Sequence, residues 1–422
     1  MGMGAISPNW NACPAAIAGA TAAAAAEARI SRRVISGFIQ LRIIVSKMGG
    51  IRCGFQIMFS ENQVPCAARA VRSRALLPER GSAPLADTRS SYLRIVSRRD
   101  VLKIVGAPAF LSATRAGAAP KVIEPGAVWP DDRDRHIQAH GGGMIKLSDT
   151  WYWFGEDRSQ ENDPNRRYVS CYSSKDLANW TFRSQVMKQT DPENLGPGWV
   201  LERPKVFYNA KTKKYVMYMH LDDGKYKVAR VAIATCDKVD GDYQYQRSFR
   251  PLGQESRDIG QFIDDDGAGY LIFEDRPAKA FHIARLSDDF MTVEKDVSVV
   301  KAPLEGGALV HYQGLYYAIG SYLTGWDPNP NQYATAKSLA GPWSEFRDIA
   351  PPEARTYGSQ STMMLKVAGT KTTSVIFMAD IWRPKTQWDS RYLWMPLEIG
   401  EGRLRLPVPR PWTIDVRTGE TR

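Results

Sequence analysis

One unit recurs five times between residues 138 and 380, and it constrains the fold more than any other feature of the chain. Each copy has a polar side chain, a short strand pattern, a polar turn and a second apolar strand pattern. The polar heads are His140, Glu202, Asp258, Glu305 and Gln360, spaced 62, 56, 47 and 55 residues apart. The clearest copy lies within Lys301 to Trp326, where Glu305 precedes two glycines and an apolar run. A Gln-Gly pair at 313–314 then turns the chain into an alternating aromatic strand, the pattern of a hairpin. A second repeat follows each copy, beginning at Tyr172, Ala234, Ala284, Ala334 and Met395. A supersecondary unit repeated at this spacing predicts an all-β fold, a five-bladed β-propeller. In such a ring the five polar heads would converge on one central point.

The net charge of +11 would ordinarily raise the question of a nucleic-acid or membrane partner. Its distribution answers it. Residues 1–119 carry 16 basic and 5 acidic side chains, whereas residues 120–422 carry 40 of each. The excess belongs to the leader, so no nucleic-acid partner is expected for the repeat region. Residues 1–90 are read as a poorly structured extension. They are Ala-rich, and the apolar stretch from Arg29 to Ser60 is broken by Arg32, Arg33, Arg42, Lys47 and Arg52, which excludes a clean membrane span.

Residues 91–119 read as a twin-arginine-type signal peptide. Arg98 and Arg99 precede an apolar stretch from Ile104 to Ala113 and a small-residue cleavage site at Ala116–Ala118. A signal this far from Met1 implies that the working chain starts downstream. The expectation is export through the twin-arginine machinery to the periplasm or beyond, with no membrane attachment after cleavage. Residues 120–422 read as one β domain. Cys171 and Cys236 lie in strand-like segments without metal-ligand spacing, so both are expected to be buried free thiols.

Three of the five heads, Glu202, Asp258 and Glu305, are carboxylates. Acids brought together on a channel wall repel, which spreads their pKa values and keeps one protonated near neutral pH. Glycosidic cleavage needs such a protonated acid for the leaving oxygen, and a group on the opposite face of the sugar to direct water. Glu305 is read as the acid, with room beside it at Gly306 and Gly307. Asp258 would tune it, and Glu202, next to Arg203, would stay ionised and bind sugar hydroxyls.

The segments Gln138–Met144, Tyr152–Asp157, Leu201–Val206, Ser256–Gly260, Leu304–Ala308, Leu323–Trp326 and Tyr357–Thr362 resemble glycoside hydrolase family 43, most closely its exo-β-1,3-galactanase branch. The resemblance runs from about Ile123 to Ile399. It implies a five-bladed propeller and an inverting hydrolase that releases galactose from β-1,3-galactan, the backbone of arabinogalactan. By position, Glu305 matches the family's general acid and Asp258 its pKa-modulating aspartate. Glu202, Glu156, Tyr226, Thr324, Gly325 and Trp326 match positions around the sugar, where Trp326 would stack on a pyranose face.

One departure bears on the mechanism. Most of the family places a catalytic Asp on the inner strand of the first blade, but here Ile137–Gly141 holds no carboxylate. The galactanase branch shares that absence and substitutes a glutamine on the last blade, which Gln360 matches. An amide could orient water or act through an imidic-acid form. His140 is the competing candidate on chemical grounds, and it could equally contact the sugar, hold a structural hydrogen bond or help bind an ion in the channel. Two other readings stand beside a galactanase. One is a different family activity, such as an arabinofuranosidase or β-xylosidase. The other is a sugar-binding propeller without hydrolysis, against which the Glu305–Asp258 pair argues. No cofactor is expected. A structural calcium ion is compatible with the chain, although Asp264–Gly267 reads as a turn rather than a calcium loop. Met217, Met219, Met363 and Met364 read as core, and His220 and Asp222 as able either to reach the sugar or to serve a structural use.

Overall fold

The computed structural model describes residues 121–188, 195–301 and 304–422. The proposed leader and signal segments lie outside them. Among the described residues, five sheets follow one another along the chain, joined by short connections. Blade 1 holds β1 (His140–Leu147), β2 (Thr150–Asp157), β3 (Tyr168–Ser174) and β4 (Thr181–Lys188). Blade 2 holds β5 (Trp199–Asn209), β6 (Lys214–Asp223), β7 (Arg230–Cys236) and β8 (Gln244–Phe249). Blade 3 holds β9 (Arg257–Ile263), β10 (Gly269–Asp275), β11 (Ala280–Leu286) and β12 (Val293–Val300). Blade 4 holds β13 (Leu304–Tyr312), β14 (Leu315–Tyr322), β15 (Gln332–Ala336) and β16 (Arg347–Asp348), and blade 5 holds β17 (Gln360–Ala368), β18 (Thr373–Ile381) and β19 (Arg391–Pro396).

Each blade is an antiparallel meander in chain order. The inner strands pack in a ring: β1 on β5, β5 on β9, β9 on β13, β13 on β17 and β17 on β1. This is the five-bladed propeller that the repeats predict. The second repeat corresponds to the third strand of each blade and the turn after it. The turn at Gln313–Gly314 has positive φ at both residues, 51° and 76°, as a type I′ hairpin requires. Among the described residues the helical content is three short 3-10 turns, and no helix there is long and apolar enough to cross a membrane.

Apolar side chains from facing blades fill the spaces between sheets. Val206, Met217, Met219, Ala232 and Phe154 pack between blades 1 and 2, and Phe207, Tyr218, Leu271 and Phe273 between blades 2 and 3. Met364 joins the core as expected, whereas Met363 is half-buried. Cys171 is a buried free thiol, but Cys236, at the end of β7, is only half-buried.

The ring closes between blades 5 and 1 on an aromatic cluster. Trp394 lies 4.6 Å from Trp153 and 5.0 Å from Trp129, centroid to centroid. Trp412 donates to the Trp394 carbonyl at 2.7 Å, and its backbone bridges Ile123. The Gly126 amide donates to the Tyr392 carbonyl, so the segment before β1 lies along the open edge of β19. Covering that edge satisfies backbone groups that blade 5, with three strands, would otherwise leave unpaired.

All five inner hairpins share one irregularity. The register slips next to the polar head, between His140 and Gly143, Glu202 and Lys205, Glu305 and Ala308, Ser361 and Met363, and opposite Ile272–Glu274 in blade 3. A bulge frees a strand end from the pleat and re-aims its side chains. Repeated five times, it turns the start of each inner strand toward the same end of the ring.

Candidate active site

A cavity of about 250 Å³ opens at that end, lined by Glu156, Glu202, Arg203, Tyr226, Asp258, Arg276, Glu305, Gly325, Trp326, Gln360 and Trp382. Four of the five heads therefore converge as expected. A larger groove of about 790 Å³ lies on blade 1 between Phe182 and Trp388. Its acids are committed elsewhere: Asp157 to Ser159, Asn162, Ser170 and Gln185, and Glu161 to Arg135. Opposed carboxylates, which the chemistry needs, are found only in the smaller cavity of the two.

Glu305 occupies the second position of β13. Gln360 donates to its Oε1 at 3.1 Å, and Arg276 reaches its Oε2 at 3.3 Å. Burial, then the nearby charges of Asp258 and Glu274, push its pKa up to about 9 against the pull of Arg203 and Arg276. A carboxyl protonated through neutral pH is what a general acid requires. Gly306 and Gly307 do leave room, but the room is taken by neighbouring strands. A Cβ on Gly306 would meet the Ser361 carbonyl at 2.9 Å, and the Gly307 carbonyl presses against Gly260.

Asp258 has φ of 21° and Arg203 of 51°, backbone conformations that cost energy for non-glycine residues and collect at functional sites. The two side chains pair at 2.8 Å. Arg203 also donates to Gln360 Oε1 at 2.6 Å and to the Ser361 carbonyl at 3.1 Å. Trp382 donates to the same Gln360 oxygen at 3.1 Å, and Gln360 Nε2 donates to Ser321 at 3.0 Å. Arginine and indole nitrogens only donate, so the chemistry of its partners sets the orientation of the amide. With two donors facing Oε1, a proton on that oxygen is disfavoured in this arrangement, which argues for water orientation over the imidic-acid form.

Glu202 receives the Tyr226 hydroxyl at 2.9 Å and lies 3.3 Å from His220 Nδ1. Burial opposes its ionisation, but His220, Arg158 and Tyr226 outweigh that and hold it down at about 2. His220 also bonds Asp222, and the two acids lift its pKa to about 9 despite burial. Both His220 and Asp222 are buried and do not line the cavity, which is the structural one of the two uses read for them. Glu156 pairs with Arg158 and accepts the Arg203 amide at 2.9 Å; burial raises its pKa.

His140 is not in the cavity. Its ring is fully buried, bonded through Nδ1 to Asp380 at 3.0 Å and stacked on Tyr392 at 5.0 Å. The strand slip at its position and the buried acid on β18 draw it between blades 1 and 5. Blade 1 instead presents Glu156, which lies directly across β2 from His140. At the rim, Gly325 and Trp326 line the cavity, and Trp326 is 43% exposed with its edge against Trp382. Thr324 does not line it; its hydroxyl bonds Asp327 and Asn329 within the loop.

Three lining residues, Arg203, Arg276 and Trp382, escaped the sequence reading as site residues, as did Glu274, the acid behind Arg276. Of these, only Glu274 belongs to a recurring pattern. Opposite or beside each head, the second strand ends in a polar residue: Glu156, His220, Glu274, Ser321 and Asp380. This second ring is as periodic as the first. Three acid-rich sets have atoms close enough to surround a cation, namely Glu202–His220–Asp258, Asp264–Asp265–His311 and Asp258–Glu274–Glu305. Each already holds cations of the chain: Arg203 at Asp258, Lys366 at Asp265 and Arg276 at Glu274. Asp264–Gly267 forms the turn between β9 and β10, as read.

A propeller with a buried protonated acid, an ionised acid across a sugar-sized cavity and an aromatic rim defines a glycoside hydrolase. The family described as "Glycosyl hydrolases family 43" matches residues 142–369, and the chain belongs to that family. An exo-β-1,3-galactanase of Phanerochaete chrysosporium, solved with galactose, is 39% identical over 72% of this chain and 70% of its own, with a TM-score of 0.68. An exo-β-1,3-galactanase of Clostridium thermocellum is 37% identical over 71% and 68%, with a TM-score of 0.65. A family 43 β-1,3-galactosidase solved with galactodeoxynojirimycin is 33% identical over 67% and 97%, with a TM-score of 0.62. No match was found among curated protein sequences.

Proposed function

We propose that the protein is an exported, inverting exo-β-1,3-galactanase that removes galactose from the non-reducing end of β-1,3-galactan, the backbone of arabinogalactan. The observation that carries this reading is Gln360. It stands beside the acid on blade 5, while the blade 1 position at which most of the family carries a catalytic Asp holds no carboxylate, and the galactan-acting relatives are similar along most of the chain. In this reading Glu305 protonates the leaving glycosidic oxygen as the C–O bond breaks. A water attacks the anomeric carbon from the opposite face and loses its proton to solvent, with Gln360 exchanging one of its Nε2 hydrogen bonds, to Glu305 or Ser321, to orient it. Asp258 and Arg203 hold the acid and the amide in register. Glu202, Glu156 and Tyr226 bind sugar hydroxyls, and Trp326 stacks on the ring.

The test uses the chain from residue 119 onward with β-1,3-galactan, β-1,4-galactan and arabinan, following the sugar released and its first-formed anomer. Galactose of inverted configuration from the 1,3-polymer alone supports the reading. Arabinose release, or binding without release, overturns it. Export is a separate proposal that rests on Arg98 and Arg99. Their joint replacement by lysine is expected to leave the protein in the cytoplasm, as measured by fractionation.

A further inference from the structure

The carboxylate oxygens of Asp258, Glu274 and Glu305 lie within 4.8 Å of one another. Two guanidinium groups serve the three acids. Arg203 pairs with Asp258 at 2.8 Å, and Arg276 pairs through Nε with Glu274 while reaching Glu305 at 3.3 Å through Nη2. With all three acids ionised the group carries one net negative charge; one retained proton makes it neutral. Geometry decides where that proton sits. Arg276 is bound firmly at Glu274 and only loosely at Glu305, so Glu274 keeps the cation and Glu305 keeps the proton.

We propose that Glu274, which does not line the sugar cavity, is a positioning residue that engages Arg276, limits its pull on Glu305 to one loose contact and so keeps the general acid protonated. Glu274 sits at the end of β10, is 2% exposed, and has one oxygen with no hydrogen-bond partner. A buried acid left half-satisfied costs stability, and its retention points to a role. The other charges facing the group are Glu202 of β5 and His220 of β6, which lie 3.3 Å apart, with His220 bonded on its far side to Asp222. Gln360 and Ser321, on the remaining sides, are neutral. Removing the charge of Glu274 would release Arg276 onto Glu305 and draw the proton off it.

That Glu305 is the acid rests on the proposed hydrolysis; where its proton sits does not. The deciding measurement is therefore an infrared pH titration of the protonated carboxyl band that disappears in Glu305→Gln. In the wild type the band should persist through neutral pH. In Glu274→Gln its midpoint should fall by about one pH unit or more, and the alkaline limb of kcat on β-1,3-galactan should move with it. Arg276 is half-exposed at the cavity mouth, and Arg276→Gln should shift the band the opposite way, which gives a second reading if Glu274→Gln folds poorly. An unchanged or raised midpoint in Glu274→Gln, or an unchanged or lowered one in Arg276→Gln, overturns the proposal. A uniform loss of kcat at all pH values with the band unmoved would make Glu274 merely structural and overturn it as well.

Discussion

At the scale of single residues, the charges and donors beside each buried acid divide the acids into roles. Glu305→Gln should lower kcat on β-1,3-galactan by about 10²–10⁴-fold with galactose still bound, as kinetics and calorimetry would show. The same residue should weaken the fold at alkaline pH. Its pKa is raised on folding from 4.5 to about 9, so its contribution is full below about 4.5 and is lost as pH rises through 9. Above neutral pH, Glu305→Gln should therefore have the higher Tm. Glu202 and His220 work differently. Glu202 falls from 4.5 to about 2, so its contribution is present above 4.5 and is lost as pH falls through 2. His220 rises from 6.5 to about 9, so its contribution is present below 6.5 and is lost as pH rises through 9. Thermal melts should show this pair's stabilisation greatest between about pH 4.5 and 6.5, with a shallower acid limb in Glu202→Gln.

At the scale of the elements, the bulged inner strands deliver these side chains, and close strand contact holds them. A Cβ on Gly260 would meet the Gly307 carbonyl oxygen at 2.0 Å, so β9 approaches β13 only because residue 260 has no side chain. Gly260→Ala should cost about 1–3 kcal/mol in urea denaturation and lower kcat by parting Asp258 from Glu305. Blade 1 shows the same economy of space. The side chain of Lys205 runs past Gly143, and its Nζ donates to the carbonyls of Gly141 at 2.8 Å and Gly142 at 2.6 Å. Burial brings this lysine's pKa down to about 7. The heads were legible in the sequence because they recur at the strand start. Glu274, Arg276 and Trp382 were not, because they lie at second-strand ends or in loops, where polar residues are also common for reasons of solvation alone. His140 belonged to the visible pattern and still left the site, since pairing with Asp380 and stacking on Tyr392 outweigh its place in the repeat.

At the scale of the whole molecule, a ring is only as secure as its seam. Blades 5 and 1 meet on Trp129, Trp153, Trp394 and Trp412, and the segments before β1 and after β19 are bridged there. Trp412→Ala should destabilise the fold by about 3–5 kcal/mol in thermal or urea melts. The specific activity of the folded fraction should be unchanged, because Trp412 does not line the cavity.

What the sequence determined by itself was the periodic part. Five strand pairs with polar heads imply five blades and a converging set of acids, because chain connectivity and side-chain alternation act over a few residues and leave a trace in the order of the letters. The family followed from the same ordered motifs. Only the tertiary structure decided which acid keeps its proton, which way the Gln360 amide faces, and that Glu156 rather than His140 represents blade 1. Those outcomes depend on burial and on charges brought from other blades, such as Arg203, Arg276 and Asp380. Such long-range electrostatics have no fixed spacing along the chain from which they could be read.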